Sequence, residues 1–334
     1  MKNIVKTLRR LCACLSGFVL FVAGVLKLMD PVGSSLVMEE YFNFLHLGWL
    51  KPLAGFAGPA AAYLETLVGA ALLTGAWRKI TAIVSGITFG AFTLLTLALF
   101  IFNPSMDCGC FGEAVHLTHA QSLIKNLVLC ALWAGAFLPF RSIGEGRKIK
   151  KVSFTIAALS SLVFLILQLG NVPLIDFTPL KPVAELEDLE SPFTFSDGDG
   201  NYCDSLAASG PVMIVSAYDP QELDYGRADA FLQDASIAGF NPLEIIAGQA
   251  DTDNGIYSAD RRTLLTLNRS NGGATYINDG LIIAKWPAGR LPDAEQLDEL
   301  SQTNPAEYMM ERNRAGRLKL QGFLLYVFAV MLLL

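Results

Sequence analysis

Charged side chains are scarce in this chain. Only 17% of its 334 residues are Asp, Glu, Lys or Arg, whereas soluble domains carry about a quarter. Hydrophobic residues make up 52% of the sequence, and the mean hydropathy is +0.42. This composition excludes an ordinary soluble globular protein and predicts an integral membrane protein that carries one soluble domain.

A basic surface is also missing. The formal net charge is −6, and no stretch interleaves basic with aromatic residues as nucleic-acid-binding proteins do. We therefore expect membrane lipid and a protein partner, and no nucleic acid. The six cysteines fit no disulfide scaffold of a small secreted protein, so their positions matter more than their number.

Five apolar runs predict membrane spans at about 11–29, 54–76, 80–102, 121–140 and 152–169. Basic clusters precede the first run, separate the second from the third, and follow the fourth, where Arg141 and Arg147 stand. The positive-inside rule then predicts an inside N-terminus, with residues 103–120 and everything after Gly170 on the outer face. We expect a multi-pass protein of the bacterial cytoplasmic membrane with a periplasmic domain.

Two further segments lie beside these spans. The acidic, aromatic stretch 30–53 is typical of an outward-facing interfacial loop. The closing stretch 321–334 is apolar but shorter than the roughly 20 residues that a bilayer needs, so it is either part of a sixth span or partly inserted.

The loop Asp107-Cys108-Gly109-Cys110-Phe111-Gly112 places two thiols one residue apart between two apolar runs. Gly109 gives the backbone freedom that so tight a disulfide ring requires. Such a bridge is strained and closes almost no loop, so it suits electron exchange better than bracing the fold. The neighbouring Asp107 works against a thiolate.

Other interpretations of these thiols stay open. They could be reduced and inert. They could also be half of a metal site, because Cys108, Cys110, His116 and His119 form a C-x-C-x5-H-x2-H row, although this spacing matches no common zinc pattern closely.

Ionisable groups in or near the bilayer are costly unless they are paired or functional. Lys27 is expected to reach the outer headgroups and pair with Asp30. Glu65 lies near mid-depth in its span, which predicts a buried, hydrogen-bonded or proton-handling role.

The remaining cysteines have smaller predicted roles. Cys12, Cys14 and Cys130 are predicted to be small core residues. Cys203, in the outer domain, is a candidate resolving thiol for the Cys108 pair or is simply unpaired.

The membrane part resembles the DoxX/MauE-type membrane proteins over about residues 10–140. The resemblance rests on Phe21 to Pro31, Tyr41, Tyr63-Leu64-Glu65, Gly69, Leu72 to Gly75 and Cys108 to Gly112. It implies a four-helix membrane bundle linked to disulfide formation or electron delivery in maturing periplasmic proteins. It further implies a redox role for Cys108 and Cys110, with Lys27, Asp30 and Glu65 as matching family positions. The general plan is similar to that of quinone-coupled thiol oxidases, which makes quinone a candidate cofactor.

From about Phe193 the pattern becomes a soluble α/β alternation. Strands are predicted at 211–217, 242–247, 274–277 and 281–286, and helices at 225–238, 260–268 and 293–302. The turn Asn278-Asp279-Gly280 predicts a hairpin between the last two strands.

This strand and helix order resembles a thioredoxin-type fold, but a degenerate one. The position of the C-x-x-C motif is occupied by Asp219-Pro220-Gln221-Glu222, and residues 271–275 stand where the family has a cis-proline. The resemblance therefore implies a domain that binds a partner or covers the Cys108 loop, without dithiol chemistry of its own.

The predicted organisation has five parts. They are a four-span membrane domain (1–140), a basic inner loop with a fifth span (141–170), an acidic proline-containing linker (171–190), a thioredoxin-like domain (191–303) and a connector with the apolar tail (304–334). The leading function is a thiol–disulfide oxidoreductase using Cys108 and Cys110. The alternatives are a non-enzymatic membrane scaffold that binds a client protein and a metal-handling protein.

Overall fold

The computed structural model describes residues 2–104, 106, 108–138, 148–188 and 193–333. Asp107, Arg141 and Arg147, which the sequence analysis uses, lie outside the described residues, as do the last two positions of the predicted linker. The chain divides into a membrane unit, Met1–Leu169 with Gln321–Leu334, and a soluble unit, Gly170–Leu320.

The membrane unit is helical. Its helices are α1 (Lys2–Met29), α2 (Pro31–Phe44), α3 (Ala54–Thr74), α4 (Arg78–Phe102), α5 (His119–Phe137) and α6 (Lys148–Gln168). Within the described ranges, all of them except α2 belong to segments long and apolar enough to cross a bilayer. The chain is thus a multi-pass membrane protein. The helix ends lie within about four residues of the predicted spans, except that α1 begins at Lys2 and not near residue 11.

Helix α2 differs from the sequence prediction, which made residues 30–53 a loop. Asp30 caps the helix because its Oδ1 accepts a hydrogen bond from the Gly33 N–H at 2.9 Å. Pro31 occupies the first helical position, where its missing N–H costs nothing. A short 3-10 helix, Gly48–Leu53, then leads into α3. The Asp-Pro pair was a helix-start signal that the aromatic composition obscured.

Helices α1 and α3 touch backbone to backbone. A Cβ atom at Gly69 would lie 2.4 Å from the Phe21 nitrogen, and one at Gly24 would lie 2.3 Å from the Thr66 Oγ1. Small residues at such a crossing permit the close van der Waals contact that associates helices in lipid. This contact fixes which side chains of α1 and α3 face each other.

The soluble unit is a five-stranded mixed sheet with helices on both faces. Its strands are β2 (Pro211–Ala217), β3 (Asn241–Ile246), β4 (Ile256–Ser258), β5 (Gly273–Asn278) and β6 (Leu281–Trp286), and β1 (Cys110–Glu113) belongs to the membrane unit. The order is β4-β3-β2-β5-β6, with β2 parallel to β3, β3 parallel to β4, and β5 antiparallel to both β2 and β6.

Two apolar layers cover the sheet. Helices α7 (Tyr225–Ile237) and α9 (Ala294–Gln302) bury Phe231 and Leu297 on one face. Helix α8 (Arg261–Leu267) and the segment around Phe195 cover the other. The predicted bounds of β2 and β6 match the structure, whereas β4 was missed because three residues give no readable alternation.

The segment predicted as an acidic linker, 171–190, is part of the soluble unit where it is described. The Val183 N–H donates to the Ile282 carbonyl and the Leu186 N–H to the Gly280 carbonyl, both at 2.9 Å, along the outer edge of β6. At the opposite edge, Ser196 exchanges two 2.9 Å backbone hydrogen bonds with Ser258 of β4. The proline and acid content predicted a stiff linker, but Val183 and Leu186 pair their backbone with the sheet edge.

The last helix, α10 (Pro305–Leu333), contains both the predicted connector and the apolar tail. Within the membrane unit, Phe328 packs against Phe21 of α1 with ring centroids 5.3 Å apart, and Phe323 stacks on Phe164 of α6 at 4.3 Å. The tail is therefore part of the membrane unit's helical packing.

The α1–α3 contact gives a first prediction. We expect Gly69→Ala to destabilise the membrane unit by about 1–3 kcal/mol, because the new methyl overlaps the α1 backbone. Thermal unfolding in detergent would measure the loss. Gly90→Ala is the matched control, since a Cβ there meets no described atom within 4 Å and alanine favours a helix over glycine by about 1 kcal/mol. An equal response of the two variants would contradict the close contact.

The buried ion pair of the soluble unit gives a second prediction. The Lys285 Nζ lies 2.5 Å from the Asp176 Oδ2, and both side chains are buried. Burial alone would raise the pKa of Asp176, but the Lys285 ammonium and hydrogen bonds from Thr178 outweigh it and hold the pKa below its ordinary value. We expect Lys285→Met to cost about 3–5 kcal/mol, because it leaves a buried carboxylate unpaired.

Hydrogen exchange of β6 in the full chain would measure this cost. Because the folded pKa is lower than the unfolded one, the pair's contribution should be fully present above about pH 4 and be lost as the pH falls through the folded pKa. The double variant Asp176→Asn with Lys285→Met should lose less than Lys285→Met alone. A single variant as stable as the wild type would contradict the pairing.

Candidate functional site

The two thiols face each other across a tight turn. Gly109 has a φ of +57°, and the Gly112 N–H donates to the Gly109 carbonyl at 3.2 Å. A Cβ at Gly109 would lie 2.4 Å from the Val37 Cγ1, so glycine is needed here for both its conformation and its size. The Cys108 and Cys110 sulfurs are 2.7 Å apart, and both cysteines are free thiols.

Helix α2 holds this turn through Tyr41. The Tyr41 hydroxyl donates a hydrogen bond to the Cys108 carbonyl. Burial raises the pKa of Tyr41 well above its ordinary value, and the nearby sulfurs of Cys108 and Cys110 raise it further. The phenol therefore stays protonated and remains a donor over the working pH range.

Behind the turn lies an ion pair between α1 and α3. The Lys27 Nζ is 2.6 Å from the Glu65 Oε2, with the two side chains 17% and 6% exposed. The sequence pointed to Asp30 as the partner of Lys27, but the ion pair that the structure shows is with Glu65, and Asp30 caps α2 instead. The close α1–α3 contact explains the difference, because it brings the two side chains of separate helices together.

Helix α5 adds two polar residues that sequence reasoning missed. Thr118 and Gln121 form a capping box that starts the helix, and this start turns Lys125 and Asn126 toward the thiols. The Lys125 Nζ lies 5.1 Å from the centroid of the Phe111 ring. Lys125 and Asn126 follow Ser122 by three and four residues within an apolar run. This spacing puts three polar residues on one helix face, and it was the signal available in the sequence.

Asn126 is buried with one acceptor unsatisfied. Its Nδ2 donates to the Phe92 carbonyl and to the Thr96 Oγ1, each at 3.1 Å. Its Oδ1 has no hydrogen-bond partner among the described residues. A buried amide oxygen of this kind favours a bound donor.

These groups surround a cavity of about 100 Å³ between α1, α2, α3, α4 and α5. Its wall combines apolar side chains with the ionisable groups and the two cysteines. The lining includes Lys27, Val37, Met38, Tyr41, Ala61, Glu65, Phe92, Leu95, Cys108, Cys110, Lys125 and Asn126. Four of the five predicted catalytic residues, Lys27, Glu65, Cys108 and Cys110, thus meet at one cavity.

The two thiols are electrostatically different. The Cys108 thiol hydrogen-bonds to Cys110 and so lowers the pKa of Cys110, an effect that Lys125 and Lys27 support against the opposing influence of burial. The same hydrogen bond, together with burial, raises the pKa of Cys108. The pair is therefore poised to carry one negative charge, on Cys110.

The histidines of the metal alternative are placed differently. Both ring nitrogens of His119 are engaged, Nδ1 with the Asn103 Oδ1 at 3.1 Å and Nε2 with the Met106 carbonyl at 2.9 Å. Over the residues that the structure describes, no three His, Cys, Asp or Glu side chains converge as metal ligands would. The predicted set of Cys108, Cys110, His116 and His119 is not brought together as one ligand group.

The other cysteines have separate environments. Cys130 lies 3.3 Å from the Thr93 Oγ1 within the helices, and Cys12 packs at the edge of the apolar core that includes Leu72 and Phe89. The Cys203 thiol donates to the Asn201 carbonyl at 3.5 Å in the soluble unit. Its role as a resolving thiol stays a prediction.

Comparison with known proteins gives one match, which lies within the membrane unit. Residues 5–139 match the model of the family described as methylamine utilisation protein MauE. No curated protein and no solved structure matches the chain. The N-terminal region is thus a MauE-type membrane region, and the match includes every residue named on the cavity wall.

The buried ion pair gives a third prediction. We expect Glu65→Gln to destabilise the membrane unit by about 3–5 kcal/mol, because it leaves the Lys27 ammonium without a carboxylate. Thermal unfolding in detergent measures this loss. The double variant Glu65→Gln with Lys27→Met should recover part of it, and strictly additive losses would argue against direct pairing.

Proposed function

We propose that this protein is a membrane thiol–disulfide oxidoreductase that exchanges two electrons between its Cys108–Cys110 pair and an extracytoplasmic partner protein. The observation that carries the proposal is the 2.7 Å approach of two free sulfurs on the wall of a charged cavity among the spans. A bridge over one intervening residue contributes little loop-closure stability. Reversible chemistry is therefore a better reason for the pair than bracing.

The exchange is balanced without any further group. In one direction, the reduced pair transfers two electrons to a partner disulfide, so that the partner leaves with two thiols and the loop closes as a disulfide. In the other direction, the loop disulfide accepts two electrons from a partner dithiol. The same residues serve both directions.

The cavity supports a quinone as the second redox partner. A quinone ring accepts two electrons and two protons and becomes a hydroquinone, so the dithiol would be oxidised in one balanced step. The apolar wall suits the ring, and the unsatisfied Asn126 Oδ1 is an acceptor for a hydroquinone hydroxyl. Lys27 and Glu65 offer proton-handling groups at the same wall.

The arrangement of charges supports an inside N-terminus and an outer thiol loop. Arg10 donates to the Leu72 and Leu73 carbonyls at the end of α3, so the basic start of α1 and the Arg78-Lys79 turn share one end of the membrane unit. The Cys108 turn follows the opposite end of α4. The positive-inside rule therefore supports a periplasmic position for the thiols.

The soluble unit supports a partner-binding role. The order β3-β2-β5-β6 with β5 antiparallel is that expected of a thioredoxin-like domain, and Asp219 to Glu222 stand where its redox motif would be. In the proposed function this domain recognises the client, and the Cys108 pair does the chemistry. The description of the matched family adds methylamine utilisation as the setting.

A redox titration of the full chain tests the proposal. We expect Cys108 and Cys110 to interconvert together between dithiol and disulfide in glutathione buffers of stepped ratio. Maleimide trapping with peptide mass spectrometry would identify the two thiols, and Cys130→Ser is the control that should leave the titration unchanged. A short-chain quinone analogue should oxidise the reduced pair.

Other outcomes favour the alternatives. A Cys108–Cys110 pair that stays disulfide-bonded at every glutathione ratio contradicts exchange and favours the scaffold alternative. Stoichiometric zinc or copper that is lost on His116→Ala favours metal handling. Undiminished thiol–disulfide exchange with a partner protein in the double variant Cys108→Ser with Cys110→Ser would also overturn the proposed function.

A further inference from the structure

The two thiols differ in accessibility. Cys108 is 2% exposed, whereas Cys110 is partly exposed. Attack on a disulfide requires the two sulfurs of the acceptor and the attacking sulfur to approach in line. Only Cys110 therefore offers its sulfur to an incoming protein without a rearrangement of the turn.

The cavity wall carries an unbalanced positive charge. Its ammonium groups in the described part of the chain are Lys27 and Lys125, and its carboxylate there is Glu65. Lys27 and Glu65 neutralise each other at 2.6 Å. Lys125 remains, half-buried and stacked near the ring of Phe111, the residue that follows Cys110.

A buried ammonium is costly unless an anion accompanies it. Glu65 is already paired with Lys27, and Tyr41 is held as a phenol. Among the described residues of the cavity wall, the two cysteines are therefore the remaining groups that can supply a negative charge beside Lys125. Cys108 can donate a hydrogen bond to Cys110 across the 2.7 Å gap. One thiolate, stabilised by one thiol and one ammonium, is the charge state that satisfies all of these groups.

We propose that Cys110 is the thiolate that exchanges with the partner, that Lys125 provides its counter-charge, and that Cys108 is the second thiol that closes the ring. This assignment rests on the proposed thiol–disulfide function and goes beyond it by ordering the two sulfurs. Lys125 acts on the reaction through Cys110 and is a positioning residue in that sense.

The steps balance as follows. The Cys110 thiolate attacks one sulfur of the partner disulfide, forming a mixed disulfide and releasing one partner thiolate. Cys108 transfers its proton to the released partner thiolate and attacks the Cys110 sulfur, breaking the mixed disulfide and releasing the second partner thiolate. The partner gains two electrons, and the loop becomes the Cys108–Cys110 disulfide. The reverse sequence oxidises a partner dithiol.

Closing the ring removes the negative charge beside Lys125. The ammonium therefore stabilises the reduced form more than the oxidised form, and a disulfide whose reduced form is stabilised is a stronger oxidant. Lys125 should thus favour transfer of the loop disulfide to a client.

The test measures iodoacetamide modification of Cys110 in the reduced full chain from pH 5 to pH 9, by peptide mass spectrometry. Wild type should keep reacting below the ordinary thiol pKa of about 8.5. Lys125→Met should slow Cys110 about fivefold or more at pH 5, because raising a pKa of about 5 by one unit lowers the thiolate fraction at that pH by about this factor. Lys125→Arg should restore most of the rate. Lys51→Met, at an exposed lysine outside the cavity, should leave the profile unchanged.

The same variants report on redox equilibrium. In glutathione buffers, Lys125→Met should shift the reduced-to-oxidised ratio of the pair about tenfold toward the disulfide, and Lys51→Met should not. Identical pH profiles for Lys125→Met and wild type, or faster modification of Cys108 than of Cys110, would overturn the assignment.

Trapping with glutathione disulfide tests the order of the sulfurs without altering Lys125. Cys108→Ser should accumulate a mixed disulfide on Cys110, whereas Cys110→Ser should form little adduct on Cys108. The opposite pattern sinks this inference but leaves the proposed function standing, because a reversible redox titration of the wild type is a separate result.

Discussion

The close contact between α1 and α3 is the constraint on which the site depends. Glycines at the crossing let the two backbones approach until a Cβ would overlap the neighbouring chain. At this distance Lys27 of one helix reaches Glu65 of the other, deep enough that each would be unstable alone. The pair in turn forms one wall of the cavity, and the thiol turn closes another. The packing of α1 on α3 thus sets the charges next to the thiol turn, although the turn belongs to neither helix.

The site contains three fixed charges, which are two ammonium groups and one carboxylate. Helices α1 and α3 contribute a neutral pair, and α5 contributes one more cation. Helix α2 contributes a phenol that donates to the turn and carries no charge. The thiols are the remaining described groups that can respond to this field. Their asymmetry, one buried thiol and one accessible sulfur, follows from the turn around Gly109 and from its packing on Val37.

Much of the fold could be predicted because it depends on short-range patterns. Run length and basic clusters located the spans, and β-branched alternation located β2 and β6. Helix α2 was missed, since its aromatic and acidic residues masked the Asp30-Pro31 start. The segment around Val183 was misjudged because composition does not show that a backbone pairs with a sheet edge.

The site could be predicted only in part. Two thiols one residue apart and an acid within a span are visible in the sequence, and both lie at the cavity. The partner of Lys27 was not visible, because it depends on which helices cross. In the sequence, Lys125 and Asn126 resemble the polar start of an ordinary span. The structure shows that the capped start of α5 orients both residues toward the cavity.

Both borders of the soluble sheet are occupied by its own chain, β6 by the stretch around Val183 and β4 by Ser196. An extended peptide could therefore add a strand at these positions only if the segments already paired there detached. A partner protein of the proposed kind would otherwise contact side chains on the helices and loops of this unit.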